Sequence, residues 1–248
     1  DDELRTMLAH VSALNYRNGI QNPLAHFGPG SLPDKKQLIT PEAILSLPDS
    51  GKGSNPMIAA PLRLHDCSLI TDGAAAVVLT TTDNAKANFK NAVELSGVGH
   101  TTDRMMHNGR QGRLDELQAT KQAVKLACAE ANITVDDLDF AEVHDCFTVN
   151  ELLCAEAVGL SQPGRAGYDL MDGKFNPDGS CPINLSGGLK SKGHPVGATG
   201  ASMHALAYKQ LVGDPIGVAA KGNPEVAMTV NVGGSGVTNC ISVMRRIQ

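Results

Sequence analysis

Gly187-Gly188-Leu189-Lys190-Ser191-Lys192-Gly193-His194-Pro195-Val196-Gly197-Ala198 is the stretch from which the rest of this 248-residue sequence is read. It sets a histidine and a proline ahead of a segment, 197–211, in which Ala198, Ala201, Ala205, Leu206 and Tyr208 are available to pack one side of a helix. Proline suits a first helical turn, and the glycines here, with Gly200 close behind, let the backbone crowd a ligand. A helix N-terminus carries partial positive charge and unpaired N–H groups, so a neutral imidazole beside it is placed to polarise a carbonyl oxygen or an activated thiol. A lone Gly-His-Pro is by default a turn with a surface histidine. A second reactive cluster argues against that default here.

That cluster is His144-Asp145-Cys146-Phe147. Residues 140–143 before it read as a short strand and 148–159 after it as a helix closed by Gly159. Strand, reactive loop and helix follow in the α/β order that gathers ligands at the carboxyl ends of strands. A cysteine at such a helix start, next to a histidine, is expected to gain thiolate character from an unperturbed pKa of about 8.5. The plainer reading makes Cys146 a small buried hydrophobe and His144 a satisfied polar residue. Asp145 is expected to hold the loop rather than meet substrate. Two imidazoles, a thiol and the amides of a Gly233-Gly234-Ser235-Gly236 turn suit carbon-acid chemistry on a thioester: imidazoles for an enolate oxygen, the thiol for the α-proton, amides for a second oxyanion.

Working outward, Leu4, Met7, Leu8, Val11, Leu14 and Tyr16 predict an amphipathic helix over 3–19. Residues 23–61 read as a long ordered excursion with one short helix capped by Thr40 and begun by Pro41. The apolar run 72–79 predicts a strand buried on both faces, and the charged stretch 81–91 a boundary. A helix is expected over 114–131, with Leu114, Leu117, Val124, Ala127 and Cys128 inward; then a polar connection over 163–181, and a hairpin of 226–232 and 237–244. A net charge of −5 excludes a general nucleic-acid binder, and no apolar run has the length of a membrane span. Six cysteines without a C-x-x-C pair argue for reduced thiols, hence a soluble intracellular protein, cytoplasmic by first expectation, with mitochondria or peroxisomes as alternatives; no metal site is expected. Lys190, Lys192, Arg104, Arg110 and Arg113 are candidates to attract anionic groups, against a default of solvated surface. Packing is expected of Cys67, Cys128, Cys154 and Cys240.

The segment Asn184-Leu185-Ser186-Gly187 through Gly200 resembles the signature of the thiolase superfamily. His144-Asp145-Cys146-Phe147 with Thr148-Val149-Asn150-Glu151 resembles the version in sterol-carrier-protein-2 type thiolases, where most thiolases carry Asn-Glu-Ala-Phe. Asp66-Cys67-Ser68 with 72–78, and 8–11 with 22–25, extend the resemblance over essentially the whole chain. It implies an α/β thiolase fold, layered α/β/α/β/α from two similar halves: the end of the loop domain in 1–60, the last part of the N-terminal domain in 61–90, and the C-terminal domain in 91–248. The implied activity is CoA-dependent cleavage of 3-ketoacyl-CoA, or the reverse Claisen condensation; alternatives are a non-catalytic acyl-CoA scaffold and a thiolase-related aldolase acting on steroid side-chain CoA esters.

By the same resemblance His194 activates a nucleophilic cysteine and shares an oxyanion hole, and His144 stands where an asparagine usually serves that hole through water. Cys146 becomes the acid/base at the α-carbon. That role usually falls to a Cys-x-Gly loop, which reads Asn231-Val232-Gly233 here, so Gly233 with Asn231 would form the second oxyanion hole. Ser68, Phe147, Gly187 and Gly188 would contact the coenzyme A thioester. CoA is implied as a substrate, with no permanently bound cofactor. A homodimer or tetramer is expected by analogy, and the family's nucleophilic cysteine belongs to a segment upstream of this sequence, supplied within a longer chain or by a separate one. Without it the sequence should not turn over.

Overall fold

A four-stranded sheet, in the order Val93–Thr102, Thr238–Arg246, Val226–Gly233 and Phe140–Val143, organises the computed structural model, which describes residues 2–30, 38–110, 112–113 and 115–247. Strand β5 (Val226–Gly233) and strand β6 (Thr238–Arg246) form the expected hairpin, antiparallel from Val226↔Arg245 to Gly233↔Thr238. Strand β4 (Phe140–Val143) lies parallel to β5, and β3 (Val93–Thr102) antiparallel to β6. Alternation along β5 divides the two faces. Met228, Val230 and Val232 face a core shared with α4 (Gln118–Ala131), α5 (Thr148–Val158) and the N-terminal helix α1 (Asp2–Gly19). Ala227 meets Ala207 and Leu211 of α7 (Thr199–Leu211) on the opposite face. Burying each such large aliphatic side chain stabilises the fold by roughly 1.5–3 kcal/mol.

Helix α1 departs from the amphipathic expectation because it is covered on both flanks. Leu8, Val11 and Leu14 join the sheet-side core, while Ala9, Ala13 and Tyr16 pack a second cluster with Phe27, Leu38 and Ile44. Ile44 belongs to the short helix α2 (Pro41–Leu45), where Thr40 Oγ1 accepts from the Ala43 amide at 3.3 Å, as its Thr-Pro start predicts. Helix α5 ends at Gly159 (φ 96°) and α4 at Asn132 (φ 51°), both left-handed caps. The helix expected from 114 begins at Gln118; Leu114 lies outside the described residues, while Val124, Ala127 and Cys128 are buried as predicted.

The segment 72–79 overturns its expectation. It forms no strand and pairs with none of the described residues, and Val78 and Leu79 are 99% and 79% exposed. A strand of that composition needs neighbours on its edges and layers on both faces, and none of the described residues supplies them. The 81–91 boundary contains a helix, α3 (Thr82–Asn88), capped by Thr81. Strand β3 escaped the pattern because Gly97 and Gly99 dilute it. Their missing side chains let α4 lie on the strand: a Cβ would come within 2.1 Å of Ala127 O at Gly97 and 1.8 Å of Ala123 O at Gly99. Two further elements were not foreseen, the hairpin β1 (Met57–Ala59) with β2 (Leu62–Arg63) and the helix α6 (Ala166–Met171) inside the supposed polar connection. Cys240, expected to pack, is exposed. No described helix is long and apolar enough to cross a membrane.

Candidate active site

Residues 67–70 stitch the two reactive clusters together. Cys67 pairs antiparallel with Phe147, the Ser68 amide donates to Cys146 O at 2.9 Å, and Ile70 pairs parallel with His194. The His144 and His194 rings consequently meet edge to face, 5.1 Å between centroids and 88° between planes, although 50 positions separate them in sequence. His194 does not sit on a helix N-terminus; it precedes the turn that begins α7, five residues ahead of Thr199.

Hydrogen bonding assigns the same tautomer to both rings. Thr199 Oγ1 gives its single hydrogen to Pro195 O (3.1 Å), so His194 Nδ1, 2.7 Å away, must donate to it. His144 Nδ1 lies 2.9 Å from Asn231 Oδ1, an acceptor only, and therefore donates as well. Each Nε2 is thus left with its lone pair. Burial lowers the pKa of both, that of His144 to about 4, with the bond to Asn231 opposing the fall and His194 and Lys192 adding to it; burial and the charge of Lys192 depress His194. Two neutral imidazoles, fixed through their Nδ1 atoms, are bases and acceptors at neutral pH.

Cys146 corrects the thiolate expectation. Burial and the adjacent Asp145 carboxylate push its pKa up to about 11, outweighing the backbone amides that favour the anion. The partly buried thiol keeps its proton at neutral pH, making it an acid rather than a nucleophile. Phe147 and Ser68 are partly exposed beside it. Asn231, on β5, is spent on His144, whereas Gly233 ends the strand with its surface open.

Gly187 and Gly188 fit a packing role better than a ligand contact. Both are buried with positive φ (97° and 58°); a Cβ on Gly187 would lie 2.5 Å from Gly19 Cα, and one on Gly188 2.3 Å from Asp145 Oδ2. They open a π-helical turn, Gly188–Lys192, whose Leu189 and Lys190 amides donate to the Asp145 carboxylate at 2.6 and 3.0 Å. Asp145 therefore does hold its loop, and the histidine-bearing turn with it. Lys190 and Lys192 face inward, against the anion-attracting expectation. Lys190 Nζ donates to Tyr16 Oη at 2.7 Å and lies 4.5 Å over that ring, burial lowering its pKa to about 8; Lys192 Nζ donates to Ser202 Oγ at 2.9 Å. Among the basic candidates Arg110 donates to Ser235 O and pins the β5–β6 turn, and Arg113 pairs with Asp115.

Sequence reasoning missed Thr199 as the partner of His194, Asn150 as a donor to His144 O, and Asn15 of α1, which donates to Asp145 Oδ2 at 2.9 Å. Thr199 and Asn150 carried a signal, being polar side chains in the first turn of a helix directly after a reactive loop. Asn15, 130 positions from Asp145, carried none. No group of three or more His, Cys, Asp or Glu able to hold a metal occurs among the described residues.

The family described as "Thiolase C-terminal domain-like" matches residues 99–246. An acetyl-CoA acetyltransferase of Methanothermobacter thermautotrophicus is 36% identical over 98% of the chain, and the sterol carrier protein 2 of Oryctolagus cuniculus 30% identical over 91%. The chain spans 58% of the first relative's length and 39% of the second's. Its fold superimposes on a solved Ltp2-ChsH2(DUF35) aldolase with a TM-score of 0.79 at 18% identity, covering 97% of this chain and 58% of that one. Fold, paired loops and sequence relatives agree, and the chain belongs to the thiolase family.

Proposed function

We propose that this chain is the greater part of a thiolase-type acyltransferase that cleaves 3-ketoacyl-CoA with coenzyme A, and that its nucleophilic thiol comes from the share of the relatives' length lying outside it. The observation that carries this reading is the facing pair of neutral imidazoles, each with Nε2 unprotonated, on two loops that residues 67–70 join, the first of which also bears the protonated Cys146 thiol.

Each group then has a task fitted to its protonation state. His194 Nε2 takes the proton of the incoming nucleophilic thiol and, now an N–H donor, stabilises the oxyanion formed at the keto carbon. His144 stays neutral, and its Nε2 accepts a hydrogen bond from a water whose other hydrogen meets the thioester oxygen. Cleavage of the bond between the α- and keto carbons leaves an enolate, which takes the Cys146 Sγ proton. The Cys146 thiolate regains a proton from the CoA thiol, whose sulfur attacks the acyl-enzyme; the expelled nucleophile recovers its proton from His194. Gly233 supplies a backbone N–H to the second oxyanion.

The test uses the chain in its full-length context, incubated with acyl-CoA and weighed intact. Acylation at a cysteine outside residues 1–248 supports the reading. A protein left unmodified contradicts it in favour of a binder or an aldolase.

A further inference from the structure

Beneath the two site loops lies a buried group of polar side chains whose hydrogen-bond accounts do not close if every carboxyl is ionised. Glu151, on the first turn of α5, is 2% exposed. Its Oε2 accepts from Asn15 Nδ2 at 2.6 Å and Asn184 Nδ2 at 2.8 Å, filling both lone pairs of a carbonyl oxygen, while its Oε1 has no partner. Asn15, wholly buried on α1, sends its amide nitrogen to Glu151 and also to Asp145 Oδ2 at 2.9 Å, and its own Oδ1 has no partner either. Two orphaned oxygens thus belong to two side chains already joined, and two acceptors cannot satisfy each other without a hydrogen between them.

We propose that Glu151 is a carboxylic acid whose Oε1 hydroxyl donates to Asn15 Oδ1, closing an acid–amide pair that aims the second Asn15 N–H at Asp145, so that Glu151 and Asn15 are positioning residues for the loops carrying His144, Cys146 and His194. One amide hydrogen lies in the cyclic pair and the other reaches Asp145. Asp145, held by Asn15 from one side and by the Leu189 and Lys190 amides from the other, carries the single negative charge that both loops share. Electrostatics agree: burial first, then the charges of Asp145 and Glu142, raise the Glu151 pKa, while Asn15 and Asn184 oppose the rise. Glu142 is engaged by Ser186, and Lys190 and Lys192 interact with Asp145.

The proposal is independent of which reaction the site performs. It predicts that Glu151→Gln, whose amide can replace the acid in the same ring, retains the slow hydrogen exchange of the Leu189 and Lys190 amides, whereas Glu151→Ala speeds it about tenfold, as loss of a charge-assisted hydrogen bond would. Urea unfolding adds a pH signature. A carboxyl whose folded pKa exceeds its unfolded value loses stabilising effect as pH rises from the ordinary carboxylate range towards the folded pKa, so wild type should decline there relative to Glu151→Gln. The Glu151 13Cδ resonance of the wild-type chain needs no variant and should sit at its protonated position at pH 7. An ionised resonance there, or Glu151→Gln behaving like Glu151→Ala, overturns the proposal.

Discussion

Cys146 keeps its proton because burial disfavours its thiolate and the adjacent Asp145 carboxylate repels it. Its alkylation by iodoacetamide, followed by mass spectrometry, should still climb tenfold per pH unit at pH 9; a plateau near pH 8 would show an activated thiolate and contradict the assigned acid role. His144 makes a second titration testable. Its pKa falls from 6.5 in the unfolded chain to about 4 in the fold, so between those values the unfolded state binds the extra proton. The resulting loss of stability is nil above pH 6.5 and grows as pH falls towards 4. Unfolding of wild type and His144→Asn should accordingly converge on acidification from pH 7 to 4, by as much as the His144 shift allows; a constant difference would refute the depressed pKa. Two imidazoles and a thiol stand out in the sequence, and the structure brings the two loops that carry them together. Their protonation was not, because Asn231, which fixes the His144 tautomer, lies 87 positions away.

At the level of elements, the π-helical turn Gly188–Lys192 lies between α6 and α7, and its form depends on Gly188. Gly188→Ala forces a side chain into left-handed backbone and onto Asp145 Oδ2, whereas Gly213→Ala (φ 75°) meets open space. Denaturant unfolding should charge the second about 1–2 kcal/mol, the backbone cost alone, and the first clearly more; equal losses would contradict the clamp between the loops. Elements with an unbroken periodicity and clear caps, such as α5, β4 and the β5–β6 hairpin, were readable from composition and spacing. Strand β3 was not, because the two glycines that weaken its pattern are the ones that seat α4, and that contact spans distant residues. The glycine-rich turn was read as ligand-facing for the same reason: sequence shows that backbone comes close to something, and here the something is α1 and Asp145.

For the whole molecule, the unpaired segment 72–79 is the outstanding surface, with Val78 and Leu79 largely exposed. Apolar edges of this kind recruit other chains. Sedimentation of the 248-residue chain should show concentration-dependent association that Val78→Asp weakens without changing the melting temperature; association unaffected by the substitution would locate the contact elsewhere. The misreading of 72–79 as a buried strand was correct in chemistry and wrong in context, since burial depends on neighbours that a local pattern cannot report. We propose that His144, His194 and Cys146 serve one acyl group, with Cys146 the acid at its α-carbon. The most direct measurement is deuterium exchange at the α-carbon of acetyl-CoA catalysed by the full-length protein and its Cys146→Ala variant. Exchange should vanish in the variant while acylation of the nucleophile persists. Exchange at the wild-type rate in Cys146→Ala would contradict it.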